Sequence, residues 1–381
     1  MSDDLSFLQV PDFLETVNEL ERLLTQSSRA FLIGAGCSRV AGLPLMLELT
    51  KIVTESSSLD PNAKAILEAV GANLKGAKNP TIEDYLSEIV DYLAIATRRE
   101  LKGADTKSVV IGNNVFTAAD MSKSLETIKR EIADCLDKTP QKLDMHREFL
   151  RAIHRTLKTG KAAGPLSVDY FVLNYDTLFE DALALEQVTY TDGFSGGAVA
   201  WWNPQLFETE EVEARVVKIH GSVDWCCLES EELPRRIRGS IGLPTGCSEH
   251  LMIWPASTKY RETQRDPFAQ MLQVFRDSLR PPPGYQKVLT ILGYSFGDAH
   301  VNIEIEKALR DVGSQLTLIA FTSNEQPEGQ LLTWLKDASI QDQIRVHSRR
   351  GFYHGPKCLV TKDDLPWWKF ETLTRLLGGE R

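Results

Sequence analysis

Three stretches of the chain share one design: AFLIGAGCS from Ala30, YFVLNYDTLFEDAL from Tyr170, and KVLTILGYSFGDAHVNIEIEKAL from Lys287. In each, a short β-branched or apolar run ends in small and polar residues and then passes into a helical pattern. A strand buried on both faces reads as a continuous apolar run, and an open parallel sheet gathers its ligand at the carboxyl ends of its strands. The polar residues after each run are therefore expected to face one crevice. ARVVKIHGS from Ala214 ends the same way, in His220, Gly221 and Ser222. QLTLIAFTSN from Gln315 follows the helix after GYSFGD and completes a strand-helix-strand unit. The class this predicts is α/β with a parallel sheet.

Between the first two of these strands lie more than a hundred residues with helical patterns and no convincing strand: AKAILEAVGANL, TIEDYLSEIVDYLAIATRREL, SLETIKREIADCL and HREFLRAIHRTLKTG. That is too long for an ordinary crossover and reads as a helical module inserted over 57–165. It divides the sheet-bearing domain into 1–56 and 166–350 and leaves 351–381 as a C-terminal tail. PDFLETVNELERLL is one further amphipathic helix, with Pro11 suited to its first turn.

The net charge of −10 and pI near 5.4 offer no general attraction to phosphate backbones, so direct nucleic-acid binding is not expected. MSDDLSFLQV lacks the pattern of a signal peptide, and no apolar run approaches the ~18 residues needed to span a bilayer. These features predict a cytoplasmic protein. Its six cysteines are then not expected to form structural disulfides. Cys226, Cys227, Cys247 and His250 lack the two spaced C-x-x-C pairs of a strong zinc signature, so no metal is expected.

Gly34, Ala35 and Gly36 follow a strand and would let the backbone come close to a pyrophosphate, with Ser38 adding a hydroxyl at the helix start. The alternative for these residues is a tight strand-to-helix turn without a ligand. The turn does not continue as a dehydrogenase fingerprint: Arg39 stands at the third glycine position, and Gly42, Leu43 and Pro44 stop any helix within about two turns. In LNYD, Asn174 can hydrogen-bond a ribose hydroxyl or position a water, while Asp176 is either a ligand or the N-cap of TLFEDALAL. His220, at a strand end, suits proton removal near neutral pH. In GYSFGD, Gly293 and Ser295 form a second candidate phosphate or ribose loop, with Asp298 as ligand or helix cap. Thr322, Ser323 and Asn324 either face the adenosine ribose or begin a polar loop.

Taken in order, GAGCSRVAGLP, LNYD, KIHGSVDW and LGYSFGD resemble the sirtuin-like superfamily, in its bacterial branch that cleaves NAD. The resemblance spans roughly 24–324, interrupted by the helical insert. It implies a Rossmann-like parallel sheet of sirtuin type with a large inserted helical module. It also implies that Gly34, Ala35, Gly36 and Ser38 line the NAD phosphates and nicotinamide side, and that Asn174 and His220 are catalytic. Gly293, Ser295 and Asp298 match the second nucleotide-contacting loop. Protein-deacylating members carry a four-cysteine zinc module after the histidine and an Asp-Phe-Arg run after the first motif. Here Leu45, Met46 and Leu47 follow Pro44, and no such module is recognisable.

The activity implied is NAD glycohydrolysis to nicotinamide and ADP-ribose, with NAD as substrate and no metal. TIEDYLSEI resembles a segment common in the bacterial defence branch, and compact proteins of this kind resemble those acting with a HerA-type hexameric ATPase in anti-phage defence. The expectation is an NAD-depleting effector gated by assembly, as a homo-oligomer with such an ATPase. Two other readings use the same site: an NAD-dependent deacylase or ADP-ribosyltransferase, and a non-catalytic sensor of NAD or ADP-ribose.

Overall fold

The apolar runs form the middle of one large sheet. The computed structural model describes residues 5–24, 28–139, 141–158, 167–209, 211–228, 233–238, 247–252 and 266–380. In chain order its strands are β1 (Arg29–Ile33), β2 (Val109–Ile111), β3 (Asn114–Phe116), β4 (Val168–Val172), β5 (Tyr190–Thr191), β6 (Phe194–Gly196), β7 (Val199–Trp202) and β8 (Ala214–Lys218). There follow β9 (Gly221–Leu228), β10 (Arg235–Ile237), β11 (Cys247–Met252), β12 (Lys287–Leu292), β13 (Leu316–Thr322), β14 (Ile344–Ser348), β15 (Gly351–His354) and β16 (Lys357–Val360).

Among the described residues the main sheet has nine strands in the order β16-β15-β14-β13-β12-β1-β4-β8-β5. Neighbours from β14 to β5 run parallel, and β15 and β16 add an antiparallel edge. The chain winds from β1 through β4 and β8 in one direction, then returns to the other flank of β1 with β12, β13 and β14. The order thus reverses between β1 and β12. In an open α/β sheet that reversal opens a crevice beyond the strands' carboxyl ends, because the crossovers on either side leave in opposite directions.

Alternation along the strands builds two cores. Phe31, Ile33, Tyr170 and Val172 face one side, where helices α1 (Pro11–Leu24), α6 (Asp144–Lys158) and α10 (Phe370–Leu377) cover them. Leu32, Phe171, Leu289 and Ile291 face the other, under α8 (Phe268–Ser278) and α9 (Ala299–Arg310). Segment 351–381 is part of this body: β15 and β16 extend the sheet, and Trp367 and Phe370 are buried on the α1 side.

A third core is formed by α2 (Met46–Thr54), α3 (Pro61–Asn73), α4 (Ile82–Leu101) and α5 (Ala118–Lys138). The expected absence of strands from this region does not hold. β2 and β3 form a hairpin across Gly112-Asn113, with Gly112 at φ 59° as a two-residue turn requires. Val109, Ile111 and Phe116 are buried while Val110 and Val115 point outward. HREFLRAIHRTLKTG, in turn, buries Phe149, Leu150 and Ile153 against the main sheet as α6.

A second sheet, antiparallel in the order β11-β9-β10-β7-β6, flanks His220 in the chain, with β6 and β7 before it and β9 starting immediately after it, and is not legible in the sequence. Cys226 and Cys227 lie in its β9, whereas the side chains of Cys247 and His250 lie outside the described residues. No helix among the described residues is long and apolar enough to cross a membrane.

One buried group gives the fold a pH dependence. His347 on β14 is enclosed by the rings of Phe321, Phe352 and Trp367, and burial pushes its imidazole down to about 3, with Arg345 adding to the effect. The unfolded chain binds a proton near pH 6.5 that the folded chain refuses, so this linkage is nearly silent at neutral pH and destabilises increasingly as pH falls from ~6.5 toward 3. Replacing His347 by phenylalanine is expected to reduce the loss of urea midpoint between pH 7.5 and pH 5. An unchanged pH slope in H347F would contradict this assignment.

Candidate active site at the switch point

The two turns that border the crevice touch through glycine backbones. Gly34 N–H donates to the Leu292 carbonyl at 2.8 Å, and Gly36 N–H donates to the Gly293 carbonyl at 2.9 Å. A Cβ on Gly34 would lie 2.5 Å from the Gly293 oxygen, and one on Gly293, whose φ is +63°, would lie 2.6 Å from the Cys37 nitrogen. The close approach that glycine permits is therefore used first between the loops themselves. Beyond it the chain makes two short 3-10 turns, Ala35–Cys37 and Arg39–Ala41, and stops at Gly42 in the left-handed region, as Leu43 and Pro44 predict. The Cys37 thiol is buried, and burial, with Asp176 and Glu371 adding negative charge nearby, drives its pKa up. It is held as an inert thiol, since only a thiolate is a strong nucleophile.

Asn174, just beyond β4, is locked against the first turn. Its Nδ2 donates to the Gly34 carbonyl at 3.1 Å and to Ser38 Oγ at 2.7 Å. The Gly34 oxygen can only accept, which fixes the carboxamide orientation, and both of its N–H bonds are used. What remains for anything entering the crevice is the acceptor Oδ1. Ser38 passes the chain on, donating to Asp176 Oδ2 at 2.6 Å, while Asp176 Oδ1 accepts from Leu178 N–H at 3.2 Å. Asp176 thus tethers the start of α7 (Leu178–Leu185) with one oxygen and Ser38 with the other.

The next strand is pinned to this loop. Lys218, fully buried at the end of β8, donates through Nζ to the Asp176 carbonyl, and Val223 N–H donates to the Tyr175 carbonyl at 2.9 Å. Glu180 Oε1 lies 3.8 Å from Lys218 Nζ. Burial pushes the Glu180 carboxyl up to about 7, against the pull of Lys218 and Arg238.

His220 meets the second glycine loop. Its Nε2 lies 3.2 Å from His300 Nε2 and 3.9 Å from Asp298 Oδ1. Two neutral imidazoles bond in this way only when one carries the Nε2 proton and the other presents its lone pair. Asp298 occupies the N-cap position of α9 without making a side-chain cap hydrogen bond, so the capping role open to it in the sequence is not the one it takes. Tyr294 Oη instead accepts from Asp298 N–H at 2.9 Å, and Asn302 Nδ2 donates to the Phe296 carbonyl at 2.8 Å. The second bond braces Phe296, a bulky residue at φ 61°, where side chains other than glycine are strained. Ser295 and Gly293 are exposed on the rim of the same loop.

His300 was not singled out from sequence. The available signal was a histidine two residues beyond Asp298 in GYSFGDAH. The second strand mouth on that flank is less involved. Asn324 donates through Nδ2 to Glu328 Oε2 at 3.3 Å, and its N–H donates to Thr322 Oγ1 at 3.2 Å, as a polar loop would.

Four strand mouths, those of β1, β4, β8 and β12, thus bring Asn174, His220, Asp298 and His300 to one crevice. Residues 169–342 match the SIR2-like domain. The matched segment holds Asn174, His220 and the GYSFGDAH loop, while the Gly34–Ser38 turn lies before it and joins through the hydrogen bonds described above. SIR2-like proteins use NAD as a substrate. No curated protein matches the chain in sequence. Among solved structures it is similar to a histidine-to-asparagine mutant of a Sir2 homologue in complex with ADP-ribose, at 13% identity and TM-score 0.41, over 95% of this chain and 96% of that one. A serine-to-alanine mutant of a Sir2 homologue, also with ADP-ribose, is similar at 11% identity and TM-score 0.40, over 96% of each chain.

Proposed function

We propose that this chain hydrolyses NAD to nicotinamide and ADP-ribose, with Asn174 and His220 as its catalytic side chains. The observation that carries the reading is their pairing at adjacent strand mouths: a carboxamide whose two N–H bonds are committed, and an imidazole backed by His300 and Asp298. In the reaction the ribosyl C1′–N bond breaks with its electron pair staying on the nicotinamide nitrogen. The leaving group departs neutral and needs no general acid. Positive charge then builds on the ribose, and a neutral acceptor such as Asn174 Oδ1 can face that charge or orient the attacking water without binding the cation irreversibly. The water oxygen bonds to C1′ and its proton passes to His220. Asp298, at 3.9 Å, balances the charge His220 acquires.

Gly34, Ala35, Gly36, Gly293 and Ser295, which border the crevice, are assigned to the dinucleotide. Ser38 and Asp176 are assigned to it through Asn174, which they hold in place. Free NAD cleavage would exhaust a cell, so the activity requires control. The likeness of the ordered motifs and of TIEDYLSEI to the bacterial defence branch supports control by assembly. We therefore assign to this chain a cytoplasmic role in anti-phage defence, as a homo-oligomer acting with a HerA-type hexameric ATPase.

Incubating the purified chain with NAD alone, and with a HerA-type hexameric ATPase added, tests the reaction by chromatography of the products. Nicotinamide and ADP-ribose are expected in equal amounts. Nicotinamide release only in the presence of an acyl-peptide would favour a deacylase, and ADP-ribose appearing on protein would favour a transferase. A sensor would keep its response to the partner after Asn174→Ala or His220→Ala, whereas the hydrolase should lose catalysis and toxicity together.

A further inference from the structure

The contact between His220 and His300 has a second chemical reading. A tetrahedral zinc ion with Zn–N bonds of about 2.0–2.1 Å separates its ligand nitrogens by about 3.3–3.4 Å. The two Nε2 atoms stand 3.2 Å apart, close to that separation, so that a modest turn of the two rings converges their lone pairs on one point. Asp298 Oδ1 is 3.9 Å from His220 Nε2, and the three ligand atoms all lie within 4.8 Å of one another. His220 is supplied by the end of β8, while Asp298 and His300 come from the loop and first turn of α9. The set is therefore assembled from two elements that the fold already holds in register.

We propose that His220, Asp298 and His300 form a binding site for a divalent transition-metal ion, and that its occupancy switches the crevice off. Two imidazoles and one carboxylate suit Zn²⁺, Co²⁺ or Ni²⁺ and disfavour Mg²⁺ and Ca²⁺, which take oxygen ligands. The ion would replace the proton shared by the two Nε2 atoms and leave its fourth position open to the crevice. Two effects oppose hydrolysis. The nitrogen of His220 is no longer available to the water proton. The +2 ion with its single carboxylate also places net positive charge beside a ribose that must itself become cationic. The switching half rests on the hydrolase reading, but the binding half does not. The metal is an inhibitor here, distinct from any requirement of catalysis.

Cobalt makes the test independent of activity. Titrating Co²⁺ into the metal-free chain should produce visible d–d absorption that saturates at one equivalent, disappears on adding Zn²⁺, and is insensitive to Mg²⁺. His300→Gln and Asp298→Asn should each weaken this binding by at least about tenfold, with circular dichroism confirming that the variants are folded. Absence of the d–d band would overturn the proposal. So would a band that survives in both variants with thiolate charge-transfer absorption, which would place the ion on cysteines. Zn²⁺ is expected to suppress nicotinamide release over the same concentration range as it displaces Co²⁺, and release unchanged at saturation would overturn the switch. If the metal-free chain releases no nicotinamide with any partner while the cobalt spectrum is as expected, the hydrolase reading fails and the metal site stands.

Discussion

Asn174→Ala is expected to lower the rate of nicotinamide release by about 10²–10³, the loss typical of removing one pre-organised polar group from a charge-developing transition state. The stronger version of the test is Asn174→Asp. Aspartate has almost the same shape, yet it cannot donate to the Gly34 carbonyl or to Ser38 Oγ, the two bonds that hold the present side chain. It would instead set an anionic oxygen against a carbonyl. N174D should therefore be as inactive as N174A, although a carboxylate would stabilise a ribosyl cation better if charge alone mattered. Ser38→Ala, which removes the partner of both Asn174 and Asp176, should cost about 10–100-fold through misplacement of Asn174. The readouts are kcat for nicotinamide release and the unfolding midpoint, so that loss of fold and loss of chemistry are told apart. An N174D enzyme retaining most of its rate would remove Asn174 from the mechanism.

The largest effect on stability is expected at Asp169, at the opposite end of the same strand. Its carboxylate is fully buried and accepts from Arg215 Nε at 2.7 Å, Lys287 Nζ at 2.7 Å and Ser278 Oγ at 2.6 Å. Burial opposes ionisation, but the Lys287 ammonium and Arg215 guanidinium outweigh it and hold the carboxyl below its usual range. Removing one member of a buried charge cluster leaves the others without compensation, at a cost of about 3–5 kcal/mol. D169A should lose that much in urea denaturation at pH 7. Because the folded pKa is depressed, the stability Asp169 contributes is present above about pH 4 and lost as pH falls through the lower folded value. D169N should show a smaller loss of stability and, like D169A, no longer carry this pH dependence. The site residues sit beyond the other end of β4, so activity per folded molecule should be retained. A D169A protein as stable as the parent would show that the cluster is not a stabilising element.

Much of this was open to reading along the chain. β1 and β4 carry the apolar runs Ala30–Ile33 and Tyr170–Val172, and β12 is apolar from Val288 to Leu292 but for Thr290, because parallel strands are covered on both faces, and such continuity is a local property. The early stop after Gly36 was legible in the same way, since Gly42 and Pro44 limit backbone geometry wherever they occur. The hairpin at 109–116 was missed because strands of three residues carry too few alternations to stand out from their helical surroundings. The antiparallel sheet that flanks His220 is not legible because its strands, β7 and β10 among them, are short and far apart in the chain, so no continuous alternation marks them.

The site divides along the same line. That Asn174 and His220 stand at strand mouths follows from residue order, because an apolar run that stops must deliver its next polar residue to the sheet's edge. That Asn174 has only its oxygen to offer does not follow from residue order. Nor does it reveal that Gly34 is glycine because Gly293 crosses it, or that His300 faces His220. Each of those depends on a contact between segments far apart in the chain, and a contact of 2.7 to 3.2 Å is set only when both strands are seated in one sheet.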